Sequence, residues 1–106
     1  MERLRIEHGS GYLDLNVAAF FPCPVKKAVK VFRLINQWCS PEDRQALMDC
    51  FQDRAEEYKA FIASGEDSLR HSLMKRSDER DLLLRIQRNR RLLRRLNRNM
   101  ELLEVG

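Results

Sequence analysis

A chain of 106 residues, 43% hydrophobic and 34% charged, is long enough for one modest core and too short for two. Twenty basic against sixteen acidic side chains give a net charge of +4. No run of eighteen apolar residues occurs, and the N-terminal apolar run from Val17 to Phe21 closes at Pro22, so neither a transmembrane helix nor a signal peptide is expected.

The charge is unevenly spread. Residues 1–65 hold nine basic and nine acidic side chains, whereas residues 66–106 hold eleven and seven, so the whole excess lies in the C-terminal part. Such asymmetry suggests a polyanionic or acidic partner docking there. Cys23, Cys39 and Cys50 are an odd number of thiols without a Cys-x-x-Cys pair. They fit reduced, buried cysteines in a cytosolic protein.

Arg3 to Glu7 and Tyr12 to Val17 alternate in polarity around His8-Gly9-Ser10-Gly11, which predicts a β-hairpin. Leu4, Ile6, Leu13, Leu15 and Val17 would face inward. A lone hairpin is marginal, so it must lie against a helix or pair with another strand. Phe20-Phe21-Pro22-Cys23-Pro24 reads as an extended connector, because each proline biases its predecessor away from the helical region. From Val25 a helix follows with two apolar stripes, Val25, Ala28, Val29, Phe32, Ile35 and Cys39 on one side and Val31, Leu34 and Trp38 on the other. Lys26, Lys30, Arg33 and Gln37 supply its polar stripe. A helix apolar on two sides is expected to be central.

Ser40-Pro41-Glu42-Asp43 combines an N-cap, a first-position proline and acidic residues at the positive end of the helix dipole. The helix it starts would bury Leu47, Phe51, Ala55, Tyr58 and Ile62, with Met48 and Phe61, and stop at Gly65. A third helical segment begins near Asp67, with Leu69, Leu73 and Met74 as its apolar residues. It either breaks in the polar run Lys75 to Asp81, where Ser77-Asp78 offers an N-cap, or continues unbroken to Glu104.

The last helix carries the functional signal. Between Leu82 and Asn99 lie seven arginines and no acidic residue: Arg85, Arg88, Arg90, Arg91, Arg94, Arg95 and Arg98. In a heptad register Leu82, Ile86, Asn89, Leu93, Leu96, Met100 and Leu103 form an apolar seam, which predicts packing within the chain or self-association as a homodimer. The arginines occupy the remaining positions. Three readings fit them: a solvated bundle face, a nucleic-acid surface, or a surface for an acidic protein. Asn89, Asn97, Asn99 and Gln87 add amides suited to base edges.

Catalytic frames are missing from the sequence. His8 and His71 lie in no Gly-x-Ser-x-Gly or His-Glu-x-x-His context, Cys23 between two prolines has no neighbouring base, and the Cys and His separations match no zinc spacing. No catalytic residue, metal or cofactor is expected.

Over Arg85 to Arg95 the chain resembles the arginine-rich helices of some RNA-binding peptides, although those usually lack a leucine seam. It departs from basic zippers, whose basic region precedes the leucine repeat. Asn89 on the seam resembles the asparagine that sets register in dimeric coiled coils. In size, charge and absence of motif the chain resembles short proteins of bacterial mobile elements and phages, a class that includes anti-CRISPR inhibitors. That resemblance assigns no residue. The expectation is a non-enzymatic α+β protein, mainly α. Residues 1–65 would form a hairpin and two core helices, and residues 66–106 an arginine-faced helical segment of the same domain. Its arginine helix would engage nucleic acid or a nucleic-acid–protein complex. The alternative is an inhibitor or adaptor occupying an acidic or nucleic-acid-binding surface of a partner protein.

Overall fold

The computed structural model describes residues 1–103. Strands β1 (Arg3–His8) and β2 (Gly11–Asn16) are followed by α1 (Val17–Phe20), α2 (Val25–Trp38), α3 (Pro41–His71) and α4 (Arg76–Leu102). The fold is α+β, mainly α. Among the described residues, no helix is long and apolar enough to cross a membrane.

The hairpin pairs antiparallel with Leu4 opposite Leu15 and Ile6 opposite Leu13, which puts the aliphatic side chains on one face. Leu4, Ile6 and Leu15 are buried there, and β1 packs on α2. Gly9 takes φ +58° in the turn, a left-handed conformation that glycine adopts without a Cβ clash. On the outer face Arg3 pairs with Asp14 at 3.2 Å, and Arg5 stacks 4.1 Å from the centre of the Tyr12 ring.

The second strand ends one residue earlier than its alternation suggests. Asn16 accepts a hydrogen bond from the Ala19 N–H at 3.1 Å, and this cap turns Val17–Phe20 into a single helical turn instead of strand and connector. The chain then extends through a cis Phe21–Pro22 peptide to Pro24. Phe21, Phe32 and Phe51, from the connector, α2 and α3, form an aromatic triad with centroids 4.9 to 6.2 Å apart. All three are buried, and each such pair adds about 0.5–1.5 kcal/mol beyond its area. In α2, Ala28, Phe32, Ile35 and Cys39 reach the core as expected, but Val25, Val29 and Trp38 remain 40–48% exposed. Both stripes are therefore only partly covered: Val25 and Val29 belong to the first, Trp38 to the second, whose Val31 and Leu34 are half-buried.

Ser40 caps α3 by accepting from the Asp43 N–H at 3.1 Å, with Pro41 in the first turn. Arg44, one turn on, donates to the Asn36 and Cys39 carbonyls and so closes the end of α2. Helix α3 does not stop at Gly65. It runs to His71, and Gly65 is a buried contact where α4 comes close: a Cβ there would lie 2.8 Å from Ile86 Cδ1 and 2.9 Å from Cγ1. Glycine here permits helix approach instead of ending the helix.

The break falls at residues 72–75, before Ser77. Lys75 is the N-cap of α4, without a side-chain bond, and Asp78 and Glu79 lie in the first turn. Leu73, expected on an apolar helix face, sits fully exposed in this connector. The alternative of one helix from Asp67 to Glu104 fails at the same point, and Glu104 lies outside the described residues. Helices α3 and α4, about 46 and 40 Å long at 1.5 Å per residue, fold back on one another, which makes the molecule 58 × 22 × 20 Å. The main core takes Leu93, Leu96, Met100, Leu102 and Leu103 from α4, so its first four turns extend beyond that core as an arm backed by α3.

Candidate nucleic-acid interface

The leucine seam is what places the arginines. Ile86, Leu96 and Leu103 are buried, while Leu82, Leu93 and Met100 are half-buried against α3 and the core. The seam thus packs largely within the chain, with Leu82, Leu93 and Met100 keeping part of their surface open. Asn89 is half-buried, and its side-chain amide turns back to the Arg85 carbonyl at 2.8 Å, a local bond that needs no partner helix.

Two asparagines fasten the C-terminal end of α4, one to the connector before α2 and one from α2 itself. Asn99 is fully buried: its Oδ1 accepts from the Cys23 N–H at 2.8 Å, and its Nδ2 donates to the Cys23 carbonyl at 3.1 Å. The expectation that Asn99 offers an amide to a base edge is therefore overturned, because both its hydrogen-bonding ends are engaged in the interior. Asn36 of α2 donates to the Leu102 carbonyl at 2.8 Å, satisfying one of the carbonyls left open at the end of α4. Asn97 and Gln87 remain exposed.

All seven arginines from Arg85 to Arg98 are exposed. Two are engaged by α3. The Arg85 guanidinium lies 5.2 Å from the centre of the Phe61 ring, and Arg90 pairs with Glu66, which also reaches Arg70 at 3.6 Å. Arg88, Arg91, Arg94, Arg95 and Arg98 have no ion pair among the described residues. Gln87, Arg90, Arg91 and Arg94 line a shallow depression of about 390 Å³ on the outer side of the helix.

A second basic element joins them, one that periodicity along α4 alone does not reveal. Helix α2 carries Lys26, Lys27, Lys30 and Arg33 and no acidic residue, and the Asn99 clamp brings its first turn beside α4. Lys27 and Arg95 both act on Cys23, each favouring its thiolate. Burial opposes them and is the larger effect, so the Cys23 thiol is pushed up from its ordinary value. Helix α3 is the counterweight: eight acidic and four basic residues, with Asp49, Asp53, Glu56 and Glu57 exposed. Basic α2 and α4 thus stand against acidic α3.

The remaining chemically versatile residues are scattered. His8 sits at the hairpin turn, whereas His71 ends α3 with Nδ1 3.1 Å from Asp67 Oδ1. Cys39 is buried and its thiol pushed up, chiefly by desolvation and then by Asp43; Cys50 is half-buried beside the Met1 carbonyl. Among the described residues no group of three or more His, Cys, Asp or Glu side chains is arranged to hold a metal ion. No protein-family model, curated protein or solved structure matches this chain.

Proposed function

We propose that this protein binds nucleic acid through the basic surface of α4, extended by the lysines of α2. The observation that carries the reading is the five exposed guanidiniums of Arg88, Arg91, Arg94, Arg95 and Arg98, which no carboxylate among the described residues neutralises. A merely solvated helix face gains by interleaving acidic residues at three- and four-residue spacing. Here like charges at that spacing repel, and a polyanion relieves the repulsion while releasing its own counterions.

Contacts to four to six phosphates give a log–log salt slope of roughly −3 to −5. Fluorescence anisotropy of a labelled oligonucleotide, titrated at several salt concentrations, measures it. The Arg88→Ala, Arg91→Ala, Arg95→Ala triple variant should keep its helical circular dichroism and flatten the slope. Wild-type affinity in that variant refutes the reading. The same guanidiniums also suit carboxylates, so an acidic partner protein, bound by an inhibitor or adaptor, is the competing proposal. Its complex would survive an excess of random oligonucleotide, whereas a nucleic-acid complex would not.

A further inference from the structure

The arm presents α4 in a way that selects among nucleic acids. Leu84, Gln87, Arg91, Arg95 and Arg98, at three- and four-residue spacing, form one exposed line on the side of α4 away from Leu82, Ile86 and Leu93, and therefore away from α3. Arg90 and Arg94 flank this crest on one side and Arg88 on the other. Helix α3 lies behind the crest, and α2 meets α4 near Asn99 and Leu102 at its far end. The leading edge of the arm is thus one helix wide, about 10–12 Å with side chains.

Resting on the nucleic-acid reading above, we infer that the arm of α4 enters the major groove of B-form DNA, with Leu84 and Gln87 as the residues that touch base edges. A single helix fits that groove, roughly 12 Å wide and 8.5 Å deep, while the deep, narrow major groove of duplex RNA shuts it out. Single strands are bound largely by stacking on aromatic rings, and α4 has no aromatic residue. The exposed aromatic side chains lie elsewhere, Tyr12 on the hairpin under Arg5 and Trp38 at the end of α2.

The crest divides the labour by chemistry. Arginines on both flanks match the phosphate walls of a groove. Gln87 sits among Arg90, Arg91 and Arg94, where no hydrogen bond within the described residues occupies its amide. A glutamine amide pairs with adenine N6 and N7. Leu84, 58% exposed one turn earlier, presents an apolar surface to a thymine methyl. An exposed leucine next to a glutamine, leading a field of arginines, suits a site containing A·T pairs.

Two measurements decide this. In the first, the full chain is titrated into a labelled 20-base-pair DNA duplex of random sequence, its separated strands, and a 20-base-pair RNA duplex, all at one salt concentration. The expected order places the DNA duplex at least tenfold tighter than either alternative. Preference for single strands or RNA duplex overturns the groove assignment while leaving the nucleic-acid reading standing; binding to none of the three overturns both. In the second, DNA is selected from a randomised duplex pool by wild type, Gln87→Ala and Leu84→Ala. Both positions are exposed, so the fold should survive. Wild type should enrich an A·T-containing motif, and Gln87→Ala should lose about tenfold discrimination at one position with an unchanged salt slope. The same motif from all three proteins, or none from wild type, overturns the base-contact roles.

Discussion

Removing the Asn99 side chain tests how the basic helix is held. In Asn99→Ala the Cys23 N–H and carbonyl, bonded at 2.8 and 3.1 Å to a fully buried amide, lose both partners at once. An unsatisfied buried polar group costs about 1–3 kcal/mol, so two of them, eased by some entry of water, give a destabilisation of about 3 kcal/mol. For a domain of this size that lowers Tm by roughly 12–24 °C. Urea unfolding followed by circular dichroism measures the change, with the m-value unaltered if the variant reaches the same folded state. Asn99→Asp keeps the acceptor, loses the donor and buries a charge, so it should do no better. Asn97→Ala, two positions away and exposed, is the control and should stay within about 0.5 kcal/mol of wild type. A loss below about 1 kcal/mol for Asn99→Ala would refute the clamp.

Further outcomes follow from the packing. Gly65→Ala gains helix propensity of about 1 kcal/mol but drives a methyl into Ile86, at an overpacking cost of about 1–3 kcal/mol. The net loss should vanish or reverse in an Ile86→Ala background, and additive effects in a double-mutant cycle would contradict the close approach. Of the three thiols, half-buried Cys50 should react first with an aromatic disulfide reagent, and Cys23 and Cys39 only as the chain unfolds. Because burial raises both inner thiols above the ordinary value of 9.0, the unfolded chain ionises first as pH rises. Their contribution is thus present below that value and lost above it, so urea midpoints should fall between pH 8 and pH 10. That fall should shrink in the Cys23→Ala, Cys39→Ala double variant. His8→Ala, His71→Ala and Cys23→Ser should each leave oligonucleotide binding unchanged by anisotropy, and loss of binding by a folded variant would show that the residue replaced takes part in binding.

Local chemistry makes much of this fold legible. The hairpin register follows from alternation around a glycine turn, and the start of α3 from Ser40-Pro41, because caps and turns are settled within four residues. The apolar seam of α4 follows from periodicity in the same way. Contacts made at long range are not written locally. Gly65 has the form of a helix stop, and only the approach of Ile86, twenty-one residues further on, makes it an interior residue. Asn99 is one of three asparagines in the basic stretch, and nothing nearby marks it as the one that bonds Cys23, seventy-six residues away. The arginine face is visible in the sequence, whereas the meeting of Lys27 and Arg95 around Cys23 is a long-range contact that it does not show.

Front-to-back polarity gives the rod a preferred way to arrive. With basic side chains on α4 and α2 and acidic ones on α3, the molecule feels a torque in the field of any polyanion, and its short axes, 22 and 20 Å, set how far apart the opposed charges sit. At physiological ionic strength that field fades within about 8 Å, less than half the width of the rod, so reorientation belongs to the final approach and not to the diffusive search. Held to a polyanion by its basic side, the rod would show its carboxylates outward. A second molecule then meets a surface like the one already covered only beside the first and never on top of it, which favours a coating one molecule deep.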